Sequence, residues 1–326
     1  MMRVKINKFS QKQRIILYLI IALTIFLSRI AQAEEKFNLN SRLSLKISGG
    51  LNHMNIGDIN TFVESKYEFA KAFAEYCNHP HSSWEFSVIG EIEKLKWGHD
   101  FEQELCLTIT PKFEVGIGVG YIHCRNKSYF ISRQVPTMKT PALYTNASSI
   151  EPRVTAIPVK LGIYYRFPFI FKTKLFTNVG IGYYFVKSSL NWKMEEYDED
   201  IYHHSSSFSS GECKASSNGF GFHGGIGIEY SLTKNLSLII EGQGRYVRIK
   251  NLKGENLGVG DSKFSPEGIS GTLYSYYKSG SFGKYFFNFI LSEERPDDAY
   301  WREDIREAIL DLSGFSLRVG IRIKLF

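Results

Sequence analysis

The sequence predicts an all-β fold: an eight-stranded antiparallel transmembrane up-and-down β-barrel with long outer loops, two of them partly helical. Three observations predict it. Apolar side chains recur every second residue in eight segments, short and long connections alternate along the chain, and the N-terminus has the form of an export signal. Composition agrees, with 15% aromatic residues and 28 glycines in 326 residues, a mixture suited to strands and to membrane interfaces.

Arg3, Lys5, Lys8, Lys12 and Arg14 precede the apolar run from Ile15 to Leu27, and Ala31-Gln32-Ala33 stands before Glu34. A basic start, a short apolar stretch and a small-x-small site predict a cleaved signal peptide over residues 1–33 and one domain over 34–326. The segment takes six of the 40 basic residues and none of the 33 acidic ones. The exported remainder is therefore nearly neutral, and the formal charge of +7 is no nucleic-acid footprint. No later stretch is long and apolar enough for a membrane helix.

The eight period-two segments are Arg42–Asn52, His99–Thr110, Phe113–Asn126, Val154–Phe167, Lys174–Trp192, Gly219–Ser231, Leu236–Ile249 and Phe315–Phe326. The last shows the pattern plainly. Phe315, Leu317, Val319, Ile321, Ile323 and Leu325 share one face, while Ser316, Arg318, Gly320, Arg322 and Lys324 share the other. Such strands separate two environments. In a membrane barrel these are lipid outside and a polar lumen inside.

Connections at Thr110-Pro111-Lys112, Pro168–Thr173 and Leu232–Asn235 are tight. Those over 53–98, 127–153, 193–218 and 250–312 are long. Tight turns on one rim and long loops on the other fit a barrel inserted with a fixed orientation. A soluble eight-stranded barrel would bury its apolar faces inside and has no reason for one-sided loops.

The chain resembles the small eight-stranded outer-membrane barrels of Gram-negative bacteria, grouped under the outer membrane protein beta-barrel domain. The resemblance covers about Leu43 to Phe326 and rests on GGLNHMNIGDIN (Gly49–Asn60), VGIGVGYI (Val115–Ile122), IPVKLGIYYRFP (Ile157–Pro168), NVGIGYYF (Asn178–Phe185) and the closing strand. It implies residence in the bacterial outer membrane, with both termini and the tight turns periplasmic. Outer-membrane lipid and lipopolysaccharide would be neighbours, and the barrel assembly machinery would read a terminal aromatic. Phe326 fits that role, although it shares the parity of Arg322 and Lys324 while Leu325 takes the lipid face.

Within the loops, Asp58 is placed to cap a helix whose apolar positions Ile59, Phe62, Val63, Tyr67, Ala70, Phe73, Ala74 and Cys77 step by three and four. Trp301, Ile305, Ala308 and Leu312 suggest a second helix, after an aromatic tract from Tyr274 to Phe289. Both predict packing above the barrel mouth, or a docking surface for an extracellular partner the sequence does not identify. Glu195, Glu196, Asp198, Glu199, Asp200, His203 and His204 have no gathering period and read as a solvated acidic loop. Neither HExxH, CxxC nor a phosphate loop occurs, so no catalytic site, metal or cofactor is expected. Cys77 and Cys213 both fall in outer loops and are candidates for a disulfide. Cys106 and Cys124, on adjacent strands, are out of register.

Parity turns Lys46, Glu102, Glu104, Lys160, Glu229, Glu241, Arg245, Arg318 and Arg322 into the lumen. Eight strands enclose room for side chains or one small ligand, and unpaired charges there are costly. An ion network that plugs the lumen is expected, with Glu241 linked to Arg318 or Arg322. This predicts a structural or surface-interaction protein. The alternative is a site or conduit for a small apolar ligand, in space left by the inward glycines Gly116, Gly118, Gly120, Gly180, Gly182, Gly225 and Gly227.

Overall fold

Strands with one apolar and one polar face are stable only when each face meets its own medium, and here they do so by closing into a ring. The computed structural model describes residues 42–78, 85–135, 143–168, 172–199, 204–260, 269–279, 285–299 and 302–325. The expected signal peptide, Asp200, His203, Trp301 and Phe326 lie outside the described residues.

The elements in chain order are β1 (Leu43–Met54), α1 (Asp58–Cys77), β2 (Glu85–Glu91), β3 (Trp97–Thr108), β4 (Phe113–Arg125), β5 (Ser128–Val135), β6 (Leu143–Pro168) and β7 (Thr173–Glu199). They continue as β8 (His204–Ser231), β9 (Leu236–Ile249), β10 (Lys253–Gly260), β11 (Ile269–Ser279), β12 (Tyr285–Ser292), β13 (Arg302–Glu307), β14 (Leu310–Asp311) and β15 (Gly314–Lys324). The barrel is the closed antiparallel cycle β1-β3-β4-β6-β7-β8-β9-β15 and back to β1. Closure leaves no unpaired edge within the ring, which a lipid environment requires. No helix among the described residues is long and apolar enough to cross a membrane; the strands do the crossing.

The outer surface is apolar to a degree that water does not permit. Val179 and Phe220 are 64% and 72% exposed, in a band that includes Ile117, Leu161, Ile163, Ile226 and Val319. Aromatic side chains edge the band on both rims, with Phe113, Tyr165 and Phe167 near the tight turns. Tyr183, Phe185 and Phe220 stand near the long-loop rim, as girdles of this kind do.

Beyond that rim the structure departs from the sequence reading. Segments 127–153 and 193–218 are largely strand: β6 and β7 pair from Pro168↔Lys174 up to Leu143↔Glu199, and β7 and β8 from Thr173↔Tyr230 up to Glu199↔His204. The acidic residues Glu195, Glu196 and Asp198 therefore sit on a ladder opposite Phe208, Ser207 and Ser205 of β8. The second expected helix does not form. Its positions lie in and around β13 and β14, and β13 pairs with β11. The three-and-four step of Ile305, Ala308 and Leu312 also contains a two-step, and Ala308, Leu310 and Leu312 are all buried. Tyr- and Phe-rich β11 and β12 favour extended structure and supply a sheet for β13 to join.

The first helix forms as α1, but Asp58 is its first residue rather than its cap. Gly57 precedes it at φ 62°, with Ile56 at φ 63°. A Cβ at Gly57 would stand 2.7 Å from the Ile309 carbonyl oxygen, so the chain's return past β14 requires glycine. The Ile56 N–H donates to the Asp311 carbonyl at 2.6 Å, holding a β-branched residue in a backbone region it ordinarily avoids.

Candidate functional site

Inward side chains of the ring build three charged layers and an apolar seal. Nearest the tight turns, Arg322 Nη1 donates to Glu114 Oε1 at 2.7 Å and Oε2 at 2.9 Å, and its Nε lies 3.6 Å from Glu229 Oε2. Arg166 pairs with Glu114 and lies 3.8 Å from Glu229. In the middle layer, Lys46 Nζ is 2.6 Å from Glu241 Oε2, 3.5 Å from Glu104 Oε2 and 3.2 Å from the Tyr164 hydroxyl. Tyr164 donates in turn to Glu104 Oε2 at 2.5 Å, and Asn178 donates to Glu241.

The upper layer centres on Arg318. Its Nε and Nη2 donate to Asp100 Oδ2 at 2.9 and 2.7 Å, and its Nη1 donates to Glu102 Oε2 at 2.9 Å. Lys160 pairs with the same Glu102 and donates to Gln243 Oε1 at 2.9 Å. Arg245 lies 3.8 Å from Asp100 and donates from Nε to the Leu312 carbonyl at 2.9 Å. The basic side chains Lys46, Lys160, Arg166, Arg245, Arg318 and Arg322 are thus matched by Asp100, Glu102, Glu104, Glu114, Glu229 and Glu241. In a space with little water, that balance is what allows so many charges to be buried.

All nine lumen residues named from sequence face inward, and all but Glu229, whose cation contacts are 3.6 and 3.8 Å long, make closer ion pairs or hydrogen bonds. The expected partner of Glu241 is corrected. Glu241 does stand opposite Arg318 in the β9–β15 register, yet it bonds Lys46 of β1, and Arg318 reaches across to β3. Tilted strands set register neighbours at different heights along the barrel axis, so inward side chains choose partners at equal height instead. Sequence reasoning did not include Asp100, Glu114, Tyr164 and Asn178 in the network. Each has inward parity, two residues from Glu102, Gly116, Gly162 and Gly180 respectively, and that parity was the available signal.

The inward glycines hold no ligand-sized gap, because facing side chains fill their space. A Cβ at Gly182 would meet Tyr184 Cε2 at 2.9 Å, and one at Gly180 would meet His223 Cε1 at 2.6 Å. Gly116 likewise faces Glu104 and Tyr164, and Gly227 faces Phe176.

Above Arg245 the lumen becomes apolar. Met54, Ile56, Leu95, Ile122, Val154, Val247, Ile249, Leu310 and Leu312 form one cluster, contributed by barrel walls and by the chain entering and leaving the outer segments. A second cluster lies above it, where α1 packs Phe62, Val63 and Ala70 against Phe130, Ile150, Leu190 and Phe287. The Asp58 carboxylate fastens this plug, accepting from Arg306 Nη1 and Nη2 at 2.7 and 2.8 Å and from the Ile309 N–H at 2.8 Å.

The expected Cys77–Cys213 disulfide is not formed, and all four cysteines are free thiols. Cys213 packs against both apolar clusters, whereas Cys77 lies seven residues beyond Ala70, or about 10 Å further along α1. Cys106 faces Gly116 and Cys124 faces Gly98 across β3 and β4.

The sequence matches the family described as "Outer membrane protein beta-barrel domain" over residues 20–262. Among curated proteins nothing matches. Similar solved structures include the outer membrane protein OprG from Pseudomonas aeruginosa, 10% identical with TM-score 0.35, over 87% of this chain and 96% of that one, and Neisserial surface protein A, 10% identical with TM-score 0.30, over 86% and 96%. The closed eight-stranded ring, its apolar outer band and the match across most of the sequence agree, and the chain belongs to the outer membrane protein beta-barrel domain family and resides in the bacterial outer membrane.

Proposed function

We propose that this barrel is a non-enzymatic surface protein with a sealed lumen, whose tall outer strands and helical plug are its working part. One observation carries the reading: three charged layers, balanced in total, are followed directly by an apolar cluster, so the polar column has no outlet on the long-loop side. An open porin needs a continuous wet path, and a small-ligand conduit needs the glycine space that Tyr164, Phe176, Tyr184 and His223 occupy.

Planar-bilayer recording of the purified barrel tests this. Only small, rare openings are expected, and steady porin-like conductance overturns the sealed lumen. Orientation is tested separately by protease treatment of intact cells, which should cut around Asp198 and Asp297 and spare the turns at Pro111 and Lys234. Cutting at those turns instead would invert the topology.

A further inference from the structure

The outer wall carries charge where a barrel wall is ordinarily aromatic or neutral. Register aligns His99 with His123, His123 with Thr155, and Thr155 with Lys187, one row across β3, β4, β6 and β7. In the next outward row from the tight turns, Arg125 stands opposite Arg153, Arg153 opposite Ser189, and Ser189 opposite Lys214. All these positions have the outward parity of the lipid-facing strip. Directly below lie Phe101 opposite Tyr121, and Ile157 opposite Phe185.

Like charges set opposite each other across a sheet are destabilising unless something neutralises them. Internal neutralisation falls short here. Glu151 Oε1 serves both guanidiniums, at 2.7 Å from Arg125 Nε and 3.3 Å from Arg153 Nη2. Arg153 Nε, although shielded, has no hydrogen-bond partner. Glu212 is engaged with Lys214, and Lys187 is exposed. Beside Arg125 a cleft of about 580 Å³ adds Lys94, Lys96 and Trp97 to the same edge. Lys94 is held by Glu64.

We propose that this face binds the phosphates of lipopolysaccharide, with the acyl chains of its lipid anchor lying on the aromatic strip below. The pairing of an anion site with an adjoining lipid-facing surface selects a phosphorylated glycolipid over a soluble anion. Guanidiniums suit phosphate through paired N–H donors, and the adjacent Arg125 and Arg153 stand just beyond the girdle, where a headgroup lies. The site rests on the long-loop rim facing outward, but not on whether the lumen is sealed.

The test uses the full barrel in detergent micelles with labelled bisphosphorylated lipid A. Parent protein should bind saturably and more weakly at high salt. R125Q/R153Q should bind about tenfold or more weakly, the scale of losing charged hydrogen bonds. K250Q, on the far side of the ring, should bind like the parent. Dephosphorylated lipid A should bind no better to the parent than to R125Q/R153Q. K187Q, an exposed change with no protein partner to lose, reads the same surface should the double variant fold poorly, and its binding should also fall. Equal binding by parent and folded variants overturns the site, as does equal binding of dephosphorylated lipid. Displacement by millimolar inorganic phosphate would make it a free-anion site and overturn the glycolipid assignment. A barrel cut by protease only on its long loops, yet binding lipid A identically in every variant, refutes this site while leaving the orientation intact.

Discussion

Lys46 Nζ lies 2.6 Å from Glu241 Oε2, and neither side chain exposes more than 1% of its surface. The two come from β1 and β9, strands separated in the ring by β15, so the bond fastens the place where the barrel closes. Removing one member leaves the other charged and dry. Glu241→Ala should therefore cost about 3 kcal/mol or more, read from urea or heat unfolding in micelles. Lys46→Met combined with Glu241→Leu should cost less than Lys46→Met alone, which strands Glu241 as well as Glu104. Unchanged stability in Glu241→Ala would dismiss the link.

That bond also marks the limit of what the sequence disclosed. Every barrel strand was legible because one face of each meets lipid, and a period of two records that directly. The inward charges followed from the same parity. Their partners did not, because strand tilt decides which inward residues share a height. The outer parts of β6, β7 and β8, residues 143–153, 193–199 and 204–218, were read as loops for a related reason. Beyond the membrane both faces are wet, so the serines from Ser205 to Ser210 and the acids facing them carry no alternation. The absent second helix shows the reverse error, a chance three-and-four spacing overridden by the neighbouring sheet of β11 and β12.

The cysteines give a chemical reading of the fold. Cys124 Sγ donates to the Trp97 carbonyl at 2.8 Å inside the seal, and Cys106 is buried in the lumen. Cys77, near the end of α1, is partly exposed. A thiol reagent applied to the folded barrel should label Cys77 first and reach Cys106 and Cys124 only after unfolding. Intact mass without reductant should show all four as thiols. A native Cys77–Cys213 bridge in that mass would contradict the placement of α1.

Lys66 predicts a pH dependence for the outer plug. Its Nζ donates to Asn288 Oδ1 at 2.8 Å and sits 4.9 Å from the Phe62 ring centre. Burial first, and Lys278 second, lower its pKa from 10.5 to about 8. The undocked form binds the proton more tightly, so docking of α1 strengthens as pH rises from about 8 to about 10.5, and below about 8 the full penalty applies. Denaturant midpoints for release of the plug should rise between pH 7.5 and 9.5. Lys66→Met should flatten that slope, and a slope of equal size in Lys66→Met would assign the effect to another group.

The Asp58–Arg306 contact should govern whether the plug stays seated. Two guanidinium N–H groups and the Ile309 N–H converge on one carboxylate at 2.7–2.8 Å, next to Ile56 and Gly57 with positive φ. Those backbone conformations cost free energy, on the order of 1–3 kcal/mol for the non-glycine residue, and they are held only while the turn stays clamped to the chain around Ile309 and Asp311. Arg306 is partly exposed, so the ion pair itself contributes modestly, about 1 kcal/mol; the half-buried N–H of Ile309 adds to the loss when the carboxylate is removed. Asp58→Ala should therefore loosen α1 more than Arg306→Gln, while the barrel below, sealed by its own ion layers, stays folded. The expected signature is faster proteolysis within Asp58–Cys77 with unchanged unfolding of the barrel. Conductance should rise only slightly, because Lys46, Glu102, Lys160 and Arg318 still fill the lumen. A large steady current in Asp58→Ala would show that the plug alone closes the barrel and that the ion layers are permeable.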